Sequence, residues 1–444
     1  MFALSGATGW LLLFQPNTNY NYVTNTNDDG PGSLRWSIAN AQDDSTITFA
    51  STLQNKTITL TSSDIHITRS NLVIDNSKGV SLVINNNRSG LSMIVDASAS
   101  VTMIGISFRN SYSVNNSSIF INHGITTLTN CTIAHNVNHS GHGGGVYNNG
   151  TLDVINSIII DNTASYGGGI YNDNGVLNVN NSDISYNKTD FGDGGGISNH
   201  GTLNIIRSSI FGNIASFGGG ISSSGALNTL NSIISHNIAS DAGGGLESQS
   251  DKTLNITNST ISDNIAISGG GIAFYDDVAP NLELAFCTIY HNTAGRGSGI
   301  FVDDTGLVSA NTNINIKASL VAGKDFDTDP SIEGKTITSG GYNLVQNMSS
   351  KNFRQDAARI TDQTVEDMTK VFSSTASLKN NGGPTITYAL RPSSDNPAIN
   401  AIPRSACVNN RMQSVNTDQR ELPRPGRNKP GKPACDIGAY ESYN

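Results

Sequence analysis

The chain is poor in charge. Only 14% of its 444 residues are Asp, Glu, Lys or Arg, and the formal net charge is -9. No basic run offsets this weak acidity, which argues against nucleic acid as a partner. No apolar stretch reaches the roughly 18 residues that a transmembrane helix needs. No window sustains an i, i+3, i+4 apolar stripe, so the bulk of the chain is not amphipathic helix. The hexapeptide period of left-handed β-helices is missing too. Cysteine is scarce, with four residues in all.

What is abundant is glycine, and it recurs in triplets. Gly143-Gly144-Gly145, Gly167-Gly168-Gly169, Gly194-Gly195-Gly196, Gly218-Gly219-Gly220, Gly243-Gly244-Gly245 and Gly269-Gly270-Gly271 each precede an aliphatic residue, and Gly297-Ser298-Gly299 is a seventh, degenerate copy. Each unit also carries an Ile-x-x-Asn, ending at Asn136, Asn162, Asn187, Asn213, Asn237, Asn264 and Asn292. The steps between them are 26, 25, 26, 24, 27 and 28 residues. A constant period of this size is the signature of a solenoid.

Within each unit the aliphatic residues alternate with polar ones. Leu203, Ile205 and Ser208 define inward positions that recur in every unit, and Asn204 lies between two of them. Spacing of two is strand spacing. The predicted fold is therefore all-β, a right-handed parallel β-helix, with each coil rising roughly 4.8 Å. A lone coil would not hold. Its few inward aliphatics gain roughly 1.5–3 kcal/mol each on burial, against roughly 1–2 kcal/mol per ordered residue. Adjacent coils must bond to one another. Two asparagine ladders are expected to help: the Ile-x-x-Asn set, and Asn130, Asn156, Asn181, Asn231 and Asn258, interrupted by Arg207 and Phe286. Both are read as structural, because Asn tolerates left-handed backbone and bonds to the next turn.

Cys131 and Cys287 sit in the small inward position otherwise held by Ser. Six coils apart, they are expected as buried free thiols. Cys407 and Cys435 flank an irregular, proline-rich segment, where a disulfide would suit an oxidising compartment. The ends differ from the middle. Residues 1–22 form an apolar N-terminal segment, read either as a signal-peptide remnant or as an end plug. Residues 23–50 are an N-terminal cap, in which Ser33 can N-cap a short helix carrying Leu34 and Ile38 on one face. Residues 51–316 are the β-helix. After Ile316 the Gly triplets stop while proline and charge rise, so 317–444 are expected to form a closing cap.

Those ends carry a resemblance. Val23-Thr24-Asn25-Thr26-Asn27-Asp28-Asp29-Gly30-Pro31-Gly32-Ser33-Leu34-Arg35 is similar to the CSLREA module that begins many bacterial surface β-helix proteins, although the leading Cys and the Glu-Ala of that module are replaced. The repeats resemble those of chlamydial polymorphic outer-membrane proteins. Gly341-Tyr342-Asn343-Leu344, Asn381-Gly382-Gly383-Pro384, Asp418-Gln419-Arg420, Pro423-Arg424-Pro425 and Cys435-Asp436-Ile437-Gly438-Ala439-Tyr440-Glu441 resemble the choice-of-anchor Q domain. The resemblance implies an exported bacterial protein, secreted or on the cell surface, with no single activity. No LPxTG-like signal follows Glu441, so release or non-covalent attachment is expected.

Two outward constellations are candidates for binding. His236, Asp263 and His291 directly precede successive ladder asparagines, and stacked one per coil they would suit a metal or a sugar; the plain alternative is ordinary turn polarity. Asp276, Asp277, Asp303 and Asp304 follow the Gly-rich corner on neighbouring coils, an oxygen-only set that suits calcium; the plain alternative is a solvated acidic edge. No catalytic residue is assigned. Lyase chemistry would need a basic partner near acidic residues, and the repeats hold few basic residues (Lys188, Arg207, Lys252, Arg296). The expectation is a non-catalytic, adhesin-like scaffold that presents a polar face to glycan or protein. The alternative is a polysaccharide-degrading enzyme, pectate lyase-like or glycoside hydrolase-like. Carboxylates aligned in a groove with a basic residue would favour the enzyme.

Overall fold

The computed structural model describes residues 20–79, 81–113, 118–249, 252–274, 281–303, 313–323, 331–334, 337–346, 353–354, 361–426 and 434–443. The apolar segment before Tyr20 lies outside them, and so does its reading as signal or plug.

One coil shows how the sequence makes the architecture. Thr202–Ile206 is a strand, and the chain then turns at Arg207. Ser209–Phe211 follows, then a second corner at Gly212. Ile214–Phe217 leads into Gly218-Gly219-Gly220, and Ile221–Ser223 completes the coil. Stacking such coils gives four parallel sheets among the described residues: a long sheet of 14 strands, a second of 13, a third of 11 and a short one of six. Leu203, Ile205, Ile210 and Ile221 are wholly buried, while Asn204 faces out. The all-β parallel β-helix read from the repeat is the fold observed.

The corners explain the residue choices. The Asn130, Asn156, Asn181, Asn231 and Asn258 corner is left-handed throughout, and Arg207 and Phe286 adopt the same conformation where they interrupt it. The second ladder departs from expectation. The left-handed residue is the one before each asparagine: His135, Asp161, Tyr186, Gly212, His236, Asp263 and His291. Asp and His are among the residues that tolerate this region best. The ladder asparagines point inward instead. Asn213 Nδ2 donates to Ile184 O at 2.9 Å and to Asn237 Oδ1 at 3.0 Å, and its Oδ1 accepts from the Asn187 backbone N–H at 2.9 Å. All seven are buried; the first six each stitch three coils together, and Asn292 ends the ladder on Ile261 O and the Asn264 amide. At the third corner Gly218 takes a positive φ. A Cβ on Gly220 would lie 2.6 Å from Gly245 O, so the next coil packs where a side chain would stand.

A further buried ladder went unread in the sequence. Asn122, Asn148, Asn172 and Asn199 pass one amide bond from coil to coil at 2.7, 2.6 and 2.7 Å, ending on Ser223 Oγ at 3.0 Å. Its signal was present, because Asn148, Asn172 and Asn199 each fall three residues after a Gly triplet.

At the N-terminus, Leu34–Asn40 is a helix with Ser33 as its N-cap and Leu34 and Ile38 buried. Arg35 reaches Asp28 at 2.8 Å, and Asp28 also accepts from Thr61 and Ser62. Burial alone would raise the Asp28 carboxyl. The bonds from Ser62, Arg35 and Thr61 overcome that and hold it down at about 2.

The solenoid does not stop at Ile316. Asn313–Lys317, Leu320–Gly323, Ile337–Gly341, Leu344–Gln346 and Gln363–Val365 continue the parallel register. Ile314, Ile316, Leu320 and Ile337 keep the buried alternation, although the Gly triplet is gone. The chain after Val365 then folds back alongside the coils. Thr385 Oγ1 donates to Asn231 O at 3.3 Å, Thr260 Oγ1 donates to Gln419 Oε1 at 2.6 Å, and Glu421 pairs with Arg207. The expected closing cap is thus a strap on the flank. Its motif residues converge in one buried knot. Asp418 accepts from Arg420 at 2.6 Å and from the Glu441 backbone at 3.0 Å, and Arg424 donates to Asp436 O and Gly438 O, both at 2.9 Å.

Candidate functional site

His236, Asp263 and His291 occupy the same left-handed corner on successive coils, and the strap decides what they do. Asp263 Oδ1 lies 2.6 Å from His291 Nδ1, and the Tyr388 hydroxyl of the strap donates to Asp263 at 2.9 Å. Burial works to raise the Asp263 carboxyl, but the bonds from His291 and Tyr388 and the nearby imidazoles outweigh it and hold it below the usual carboxylate value. His236 packs on Phe211, with ring centres 4.8 Å apart. Among the described residues no three His, Cys, Asp or Glu side chains converge as a metal would require. Of the proposed calcium set only Asp303 is described; Asp276, Asp277 and Asp304 lie outside the described residues. Cys407 and Cys435 form a disulfide. Cys131 and Cys287 are buried thiols, pushed up by burial to about 11 and about 12.

The outward row of the long sheet is the more developed surface. Alternation along each strand places Asp153, Asn178, Asn204, Asn228, Asn255 and Glu283 in one file, one per coil. Asn178, Asn204, Asn228 and Asn255 each donate to the side-chain oxygen of the preceding member, at 2.6, 2.7, 2.9 and 2.8 Å. At Asn255 the strap enters. Arg411 Nη2 donates to Asn255 Oδ1 at 2.8 Å, and Asn410 Nδ2 reaches Leu284 O at 3.0 Å. The disulfide lies at the base of this strap segment.

Between the file and the strap runs a cleft of about 450 Å³. Asn204, Asn228, Asn255, Asn258 and Glu283 line one wall, and Asn409–Thr417 the other. Its size and placement suit a ligand site. Among the described residues, the buried oxygens Asn258 Oδ1 and Glu283 Oε2 on the coil wall have no hydrogen-bond partner. The sequence reading missed this site because it sought a basic partner only inside the repeats; Arg411 comes from a segment more than a hundred residues downstream. A smaller cleft, about 350 Å³, lies between Asp183, Arg207 and Pro384, and burial raises the Asp183 carboxyl there.

The third sheet carries a cluster of rings. Tyr147 and Tyr171 hold the same outward position on adjacent coils, with centres 5.9 Å apart. His142 stands 4.3 Å from Tyr171 and 5.3 Å from Tyr166. Burial lowers the His142 imidazole, partly offset by Asp173. Burial and the 2.6 Å bond to Asp173 raise the Tyr147 hydroxyl, so both rings are neutral near neutral pH.

No protein-family model matches this chain, and no curated protein matches it in sequence. The resemblances at the two ends therefore rest on the residues quoted for them. Among solved structures, one described as the crystal structure of pectate lyase Pel9A is similar over 95% of this chain and 96% of that one. The TM-score is 0.38 and the identity 14%. At that level the likeness carries no argument about activity. Among the described residues no helix is long and apolar enough to cross a membrane.

Proposed function

We propose that this protein is a secreted or cell-surface β-helix scaffold that binds glycan without cutting it. The observation that carries the reading is the cleft between the asparagine file and the strap. Its wall repeats a carboxamide at every coil, a chemistry that offers both a donor and an acceptor to a chain of hydroxylated units. The disulfide beside it supports an oxidising, extracellular setting. The test is a glycan array probed with the full chain, with assays for new reducing ends and unsaturated products run on every glycan bound. Binding with no product supports the scaffold; an array without a single positive removes the glycan reading.

A second reading has one observation in its favour. Glu283 and Arg411 line the same cleft, which places a carboxylate beside a cation as polysaccharide-cleaving chemistry requires. Glycan cleavage by the wild-type chain that disappears in both Glu283→Gln and Arg411→Ala would replace the scaffold with that enzyme.

A further inference from the structure

We infer that the cleft selects a neutral, hydroxyl-rich glycan segment, with Asn258 and Glu283 accepting hydroxyl protons and Arg411 donating to a ring or acetamido oxygen. This rests on the glycan-binding reading above and narrows it.

Two oxygens of the coil wall, on Asn258 and Glu283, are buried without a hydrogen-bond partner among the described residues. Asn258 is 2% exposed and sits at a left-handed corner. Its Nδ2 is committed to Thr417 O at 2.8 Å, while its Oδ1 has no partner. Glu283 accepts from Asn315 Nδ2 through Oε1 at 3.1 Å, while Oε2 is buried without a donor. Buried acceptors left unmade are unfavourable, and a ligand that brings donors recovers the loss. Both atoms accept only, so the ligand must bring O–H or N–H groups to that wall. Facing them, Arg411 is exposed and has five N–H donors, one of which serves Asn255. The ligand therefore also carries an acceptor within reach of the opposite wall. Asn204, Asn228 and Asn255 repeat the same polar contact at every coil, roughly 4.8 Å apart. A chain of sugar units meets such a row better than a single small molecule.

Charge narrows the class. A uronate or sulfate bound at Arg411 would lie about one coil from the Glu283 carboxylate, on a chain whose net charge is already -9. A cationic sugar would meet Arg411. A neutral glycan avoids both.

The test uses the full chain on an array of neutral oligosaccharides (hexose and N-acetylhexosamine) and oligouronates, followed by titration calorimetry on the best neutral binder. Asn258→Gly keeps the left-handed corner and removes the acceptor, and Glu283→Leu removes the carboxylate from an outward position. Each is expected to weaken neutral binding roughly tenfold or more; Asn258→Gly also gives up the bond to Thr417 O and should lower the melting temperature, whereas Glu283→Leu should leave it near wild type. Glu283→Gln retains an acceptor and removes the charge. It should keep neutral binding and admit oligouronates that the wild type rejects. Oligouronate binding by the wild type at or above the neutral level overturns the inference. So does neutral binding untouched by Asn258→Gly and Glu283→Leu. If that binding is instead lost in Tyr147→Ala/Tyr171→Ala, the glycan reading stands and only this site is wrong. If no glycan binds, both fall.

Discussion

At the scale of single residues the account depends on which way each side chain points. Ile205 is wholly buried and Asn204, beside it, faces out. Ile205→Asp places an unpaired carboxylate in the core and should cost about 3 kcal/mol or more; Asn204→Asp should cost about 1 kcal/mol, chiefly the lost donor to Asn178. Thermal melting of the two variants checks this, and equal losses would refute the register. The inward asparagines make a second case. Asn213→Ala strands Ile184 O and the Asn187 N–H in the interior, while Asn237 Oδ1 keeps the backbone N–H of residue 213, and should destabilise by about 2–4 kcal/mol. A melting curve close to wild type would show that water replaces the ladder. The alternation that gives Ile205 its direction was legible, because a spacing of two leaves no choice of face. The left-handed corner at His135, Asp161 or Tyr186 was not, because the neighbouring asparagine is equally able to take that backbone and only the stacked coils decide between them.

At the scale of elements, the strap after Val365 is the part that composition described least well. Loss of Gly triplets after Ile316 looked like the end of the solenoid. The triplets serve one tight corner, however, and the buried alternation of Ile314, Ile316 and Leu320 carries the coils on without them. The motifs that seemed to mark a terminal cap instead hold the strap to the flank, with Arg424 lying 4.5 Å above Phe286 of a coil, and hold the strap to itself, with Arg420 3.7 Å above Tyr440. Asp263 is a latch between the two parts. Its carboxyl is depressed below the ordinary carboxylate value in the folded protein, so its contribution is full above that ordinary value and is lost as pH falls through the lower folded value. Melting temperature should therefore drop on acidification below about pH 4. Tyr388→Phe keeps the ring, removes the bond to Asp263, and should flatten that part of the pH profile. A profile unchanged by Tyr388→Phe would mean that the latch contributes nothing.

At the scale of the whole molecule, the fold was open to the sequence and the site was not. A period of about 26 residues, repeated from Asn136 to Asn292, leaves few architectures besides a stack of coils. The cleft has no such local signature. It arises where residues 409–417 are laid across Asn204 to Glu283, a juxtaposition that depends on the return path of the strap and on the disulfide between Cys407 and Cys435. The constellation built from neighbouring coils alone, His236, Asp263 and His291, is joined by Tyr388 of the same strap. The central claim is that this long polar flank holds a glycan intact under the strap. A crystal structure of the full chain soaked with the tightest-binding array glycan tests it most directly. The account predicts an uncut chain lying along Asn228, Asn255 and Glu283, with Arg411 turned toward it. A glycan seated on another face, or cleaved within the cleft, would contradict it.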